Sequence, residues 1–181
     1  LAISGHMKDS QLKDIEIAQG VFGQPVIKSF YGNYPEVTIS HTDLLATSLA
    51  FPIGHPMGLD VEVISTDRKE ILISQSTKNE RDIFSKFTQI NEISALHLLW
   101  ALKESLSKVI KTGLTVPIEL YESDKIEVKN NNCFQVLFKN FHQFKGLAWC
   151  FENFVLAISL PKKTEISFKV EDFSFLNNLC K

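Results

Sequence analysis

From Asn91 to Lys111 the chain carries no proline and no glycine, and its apolar residues recur at three- and four-residue steps: Ile93, Leu96, Leu99, Trp100, Leu102, Leu106, Val109 and Ile110. That period is helical, so the stretch predicts one long amphipathic helix. Gly113 lies just past its end, where a C-cap glycine belongs, and Lys108 and Lys111 complement the negative end of the helix dipole. The flanks read differently. Glu36–Ser40, Leu44–Phe51 and Gly58–Ile64 are strand-like before the helix, with Gly23-Gln24-Pro25, Tyr31–Pro35 and Pro52–Pro56 as turns or breaks. Asp67–Gln89 has a helical pattern. After the long helix come strands at Ile118–Glu122, Lys125–Lys129, Cys133–Lys139, Gly146–Phe151 and Asn153–Leu160, with hairpin turns at Asn130–Asn132 and Glu152-Asn153. Lys8–Gln19 reads as a short helix or a strand. Strands, then helices, then strands favour an α+β fold over a Rossmann-like alternation.

Composition narrows the function. With 44 % hydrophobic and 22 % charged residues in 181 positions, the chain reads as a soluble globular protein able to bury a core. A net charge of −2 gives no general attraction to nucleic acid or to a membrane surface. No apolar run spans a bilayer and no signal-peptide pattern opens the chain, so a cytoplasmic location is expected. Residues 1–6 read as a tag remnant, with Met7 as the natural start. Cys133, Cys150 and Cys180 are odd in number and lack a CxxC pair, which points to reduced thiols.

The chemistry lies in two segments. In a strand at Gly58–Val63, Leu59, Val61 and Val63 share one face, and Asp60 and Glu62 share the other, about 6–7 Å apart. Two carboxylates on one face repel unless a cation lies between them, and magnesium commonly takes one or two carboxylates with substrate phosphate. The ordinary alternative is a solvated strand face. On the helix, Trp100, Glu104 and Lys108 follow one another at i, i+4 along one stripe. Glu104 and Lys108 alone would be a surface pair; Trp100 on the same stripe argues for a covered face. His41 and His55 have loop or cap readings, and His97 and His142 have no ligand-spaced partner. Walker A, GxGxxG and GxSxG patterns are absent from the sequence.

Together these residues resemble a known family. Gly58-Leu59-Asp60-Val61-Glu62, then Trp100-Ala101-Leu102-Lys103-Glu104-Ser105 with Lys108, is similar to the signature pair of the 4′-phosphopantetheinyl transferase superfamily. That pair is G-I/V-D-x-E, then F/W-x-x-K-E-S/A-x-x-K. Glu104 follows Asp60 by 44 residues, which suits it. Val37–Thr42 resembles the family's F-N-I/L-S-H-S, Gly23-Gln24-Pro25 its G-K-P, and Lys111–Leu114 its G-x-G-L. Phe154–Ile158 resembles the closing strand. The serine-histidine block resembles the surfactin-type group, whose single chain holds two similar halves. The departures are Gln24 for the motif lysine, Thr42 for serine, and Lys111 where the last motif has its first glycine.

The resemblance implies an antiparallel sheet packed on a long helix, pseudo-duplicated with a reduced first half: residues 7–57 as that half, and residues 58–181 carrying the metal and catalytic motifs. It implies transfer of 4′-phosphopantetheine from coenzyme A to a serine of an acyl or peptidyl carrier protein, releasing adenosine 3′,5′-bisphosphate. Asp60, Glu62 and Glu104 would hold Mg²⁺; Glu104 and Lys108 would be catalytic; Ser40, His41, Asp60, Lys103 and Lys108 would contact coenzyme A. Lys78, Arg81 and Lys86, interleaved with Ile83, Phe84 and Phe87, form a candidate carrier-docking stretch. Pseudo-dimer, homodimer and trimer remain open, as does the pathway served: fatty-acid, polyketide or nonribosomal-peptide. The alternative function is a non-catalytic relative that binds carrier protein or nucleotide.

Overall fold

Phe154–Pro161 is apolar along nearly its whole length, which suits a strand buried on both faces. In the computed structural model, which describes residues 15–28, 34–130 and 132–166, that segment lies between two neighbours in an antiparallel sheet. In chain order the strands are β1 (Glu16–Gln19), β2 (Pro25–Lys28), β3 (Glu36–His41), β4 (Ala46–Phe51), β5 (Gly58–Val63), β6 (Ser123–Asn130), β7 (Cys133–Phe138), β8 (Phe144–Cys150) and β9 (Phe154–Pro161). The helices are α1 (Lys69–Ser74), α2 (Lys78–Phe84) and α3 (Glu92–Ile110). Among the described residues β1–β2 and β3–β4 are hairpins, and the main sheet has the order β5-β9-β8-β7-β6. The α+β class and the antiparallel pairing agree with the order of elements in the sequence. Residues 1–14, with the tag remnant and most of Lys8–Gln19, lie outside the described residues, as do Tyr31–Asn33, Asn131 and Cys180.

Asn91 caps α3 by accepting from Ser94 N at 2.9 Å. The helix lays Leu98, Ala101, Leu102 and Leu106 on the sheet beside Val136, Ala148, Val155 and Ala157. Contact is close because two glycines permit it. A Cβ at Gly58 would overlap the Ser105 carbonyl, and one at Gly146 would overlap Leu102. The opposite sheet face buries Leu59, Val61, Leu147, Trp149, Leu156 and Ile158 with Phe51 and Met57. The period-two alternation of β5 thus splits Leu59 and Val61 from Asp60 and Glu62.

Four stretches are refined or corrected by the structure. Asp67–Gln89 holds a 3-10 turn at Thr66–Arg68 and two short helices. Thr77 and Glu80 make a capping box that starts α2 afresh, while Arg81 ties off the α1 end by donating to Ile73 O and Ser76 O. Ile118–Glu122 is a 3-10 turn rather than a strand; Pro117 starts it, and Tyr121, fully buried, donates to Gly113 O at 2.7 Å. The helix ends where the sequence places it, but its C-cap is Lys111 rather than Gly113: Lys111 itself takes the left-handed conformation, at φ 56°. In the candidate docking stretch, Phe84 is core, Phe87 packs against it, and the Arg81 guanidinium serves α1. Among the described residues no helix is long and apolar enough to cross a membrane.

Candidate active site

Among the described residues, strand β5 is an edge of the main sheet, so one side of its backbone lacks a strand partner. Side chains take that role. Thr38 and Ser40, two apart on β3, accept from Leu59 N and Val61 N through their hydroxyls at 3.4 and 3.3 Å. The Lys108 ammonium reaches across from α3 and donates to Leu59 O at 2.9 Å and Asp60 Oδ1 at 2.8 Å. Ser40 Oγ donates to the same Asp60 oxygen at 2.7 Å. Three segments distant in sequence thereby meet at one carboxylate.

Asp60 is 5 % exposed, and its second oxygen, Oδ2, is buried without a hydrogen-bond partner among the described residues. Burial pushes its carboxyl above the usual aspartate range, with the Lys108 charge and the Lys108 and Ser40 hydrogen bonds opposing. Glu104 is raised as well, first by burial and then by the charge of Asp60, with Glu62 adding to it and Lys108 opposing. Glu104 therefore stands in a field of like charge that protonation, or a cation, would relieve.

Glu62 is held differently. Arg68 donates to Oε2 at 2.7 Å and Trp100 Nε1 to Oε1 at 2.9 Å, while the Arg68 guanidinium lies 5.9 Å from the Trp100 ring centroid. The Trp100–Glu104–Lys108 stripe does face a covered surface: the acid face of β5. Arg68 lay outside the sequence reading, where the only sign was one arginine six residues past Glu62. Thr38 was also missed; its signal is the period-two pair of hydroxyls with Ser40.

As a magnesium site the set fits in part. The orphaned Asp60 Oδ2 and the like-charged Asp60 and Glu104 suit a hard cation. Both Glu62 oxygens are already bonded, and no three His, Cys, Asp or Glu side chains among the described residues form a metal-holding group.

The remaining candidates separate. Ser40 is in the cluster, whereas His41, next along β3, is exposed. Lys103 stands elsewhere: it has no exposed surface and donates to Glu80 Oε2 at 2.8 Å and Gln75 O at 2.9 Å. Glu80 also receives Ser123 N and Thr77 N. Lys103 thus ties α3 to α2 and β6, and the coenzyme A contact expected of it is withdrawn. His55 bonds Thr164 at 2.9 Å, and His97 is buried against Ser65.

A cavity of about 580 Å³ opens beside the cluster, between the β1–β2 hairpin, β3 and the end of α3. Its lining is mainly apolar, including Val26, Ile39, Phe51 and Met57, with Glu104, Ser107 and Lys108 at one wall. An elongated ligand with an anionic centre at the acids and lysine would suit it.

A family model described as the 4′-phosphopantetheinyl transferase superfamily matches residues 56–159, more than half of the chain. The chain is also 34 % identical over 72 residues to the 4′-phosphopantetheinyl transferase gsp of Aneurinibacillus migulanus. That alignment covers 40 % of this chain and 30 % of the relative, so the chain matches under a third of the relative's length.

Proposed function

The chain belongs to the 4′-phosphopantetheinyl transferase superfamily, and from that membership we propose that it moves 4′-phosphopantetheine from coenzyme A to a carrier-protein serine. The observation that carries the proposal is the meeting of Asp60, Glu104 and Lys108, with one buried aspartate oxygen unpartnered. In this reading residues 7–57 are a reduced first half and residues 58–181 the catalytic half.

The serine hydroxyl attacks the pantetheine-side phosphorus of the pyrophosphate. The new P–O bond forms as the bond to the bridging oxygen breaks, and adenosine 3′,5′-bisphosphate leaves. Glu104 takes the serine proton, directly or through water; its raised proton affinity suits a general base. Lys108, already fixed by Asp60 Oδ1 and Leu59 O, stabilises charge building on the leaving phosphate. Ser40 orients Asp60. Arg68 and Trp100 orient Glu62 toward the same face. Magnesium held by Asp60 and Glu104, with Glu62 alongside, would supply charge neutralisation of the pyrophosphate. His41, exposed at the end of β3, is free to meet a coenzyme A phosphate at the surface. An acyl or peptidyl carrier protein is the expected acceptor.

The test is intact-mass measurement of apo acyl and peptidyl carrier proteins after incubation with the chain, coenzyme A and Mg²⁺. A mass gain of one phosphopantetheine is expected, and Asp60→Ala or Glu104→Ala should abolish it with the circular dichroism spectrum retained. No gain on any carrier would sink the enzyme reading in favour of a binding relative. Full activity in either variant would contradict the site.

A further inference from the structure

Lys111 is the one non-glycine with positive φ among the described residues, at φ 56° and ψ 32°. Glycine takes this conformation freely, and a lysine there is disfavoured. A disfavoured backbone that persists is a pointer to function. The side chain supplies a reason: its ammonium crosses from the end of α3 to Glu36 on β3, at 2.7 Å. Both residues line the cavity beside the acid cluster, and the lysine is about half exposed.

A second observation concerns charge. Among the described residues, the basic ones lining that cavity are Lys108 and Lys111. Lys108 is committed to Asp60 and two backbone carbonyls. Gln24, which stands where the G-K-P motif has lysine, lines the same cavity. It folds back to accept from Phe22 N at 2.9 Å and brings no charge. Lys111 stands where the G-x-G-L motif has glycine.

We propose that Lys111 leaves Glu36 to hold the 3′-phosphate of coenzyme A. The proposal rests on the transfer reading and deepens it. The pyrophosphate must lie at Asp60 and Glu104, where the bond breaks. Lys111 lies three residues past Lys108, roughly 4.5 Å further along the helix axis, at the cavity wall shared with β3. The ligand's other phosphate is the anion left for it. Glu36 holds the ammonium in place until that phosphate, a stronger and doubly charged acceptor, displaces it.

The experiment measures dissociation constants of coenzyme A and 3′-dephospho-coenzyme A by calorimetry with the parent chain, Lys111→Gly and Glu36→Gln. Lys111→Gly restores the residue that the backbone prefers, so it should fold at least as well as the parent. It is expected to weaken coenzyme A roughly ten-fold, the size of one charge-assisted contact, and to leave 3′-dephospho-coenzyme A unchanged. Glu36→Gln, which frees the lysine, should tighten coenzyme A alone. Equal affinity for coenzyme A in parent and Lys111→Gly overturns the assignment, and so does equal weakening of both ligands. A parent that binds neither ligand overturns the coenzyme A reading itself, and this proposal with it.

Discussion

Gly58→Ala tests whether the strand–helix contact sets the chemistry. The added Cβ would overlap the Ser105 carbonyl oxygen, and it would lie 3.1 Å from Val109 Cγ2. The main obstacle is helix backbone, not the end of a flexible side chain, so α3 and β5 must separate. Overpacking of this kind costs about 1–3 kcal/mol. For a chain of this size each kcal/mol moves the melting temperature by about 2–4 °C, so the expected drop is roughly 2–12 °C. The functional loss should be larger than that stability change suggests. Lys108 and Glu104 ride on α3, whereas Asp60 rides on β5, and the Lys108–Asp60 bond is 2.8 Å. A shift near 1 Å takes that bond out of range and should lower transfer roughly hundred-fold. Thermal denaturation and carrier-protein transfer rates measure the two effects. Gly54→Ala is the contrast: Gly54, unlike Gly58, has positive φ, at 80°, and its Cβ would meet nothing within 4 Å. It should lose about 1–2 kcal/mol from backbone strain alone, with activity kept. A Gly58→Ala protein with parental melting temperature and parental rate would refute the argument.

Other consequences follow from the same geometry. Glu104→Gln removes a carboxylate whose proton affinity is raised in the fold by burial and by Asp60. A raised carboxyl is a folded-state liability that grows as pH rises above the unfolded value. The variant should therefore exceed the parent in urea midpoint at pH 8 and lose that advantage below about pH 4, where both states are protonated; an advantage that is independent of pH would contradict the cause. Lys103→Met strips the partner from fully buried Glu80 and should cost about 3–5 kcal/mol in urea unfolding, with Glu80→Gln in the same chain recovering part of it. Coenzyme A affinity of the folded Lys103→Met protein should be unchanged. Lost affinity at parental stability would return Lys103 to the site.

The long helix and the strand at Gly58–Val63 were legible because each has a period that physics reads directly, and the acids at positions 60 and 62 fall on one face by that period alone. The helical pattern over Asp67–Gln89 holds, but its division into two helices is not legible in it: an apolar pattern can run through a break when a capping box restarts the helix. At Ile118–Tyr121 the alternation is that of a strand, but Pro117 and the buried Tyr121 close a turn. Lys103 shows the limit at the site. It neighbours Glu104 in the motif, yet one residue on a helix is about 100° of rotation, and that rotation aims it into the core.

What the sequence determined by itself was periodic or consecutive: element type, the faces of β5 and α3, and the acids and lysine at motif spacing. Tertiary structure decided the pairings. Ser40 and Lys108 fall on one oxygen of Asp60, Arg68 and Trp100 occupy Glu62, and Lys111 bends back to Glu36. Each joins residues that separate elements carry, and each depends on how closely α3 and β3 approach β5. Periodicity assigns a side chain to a face; only packing, through distances of a few ångströms and the loss of solvent around them, decides which charge on that face meets which.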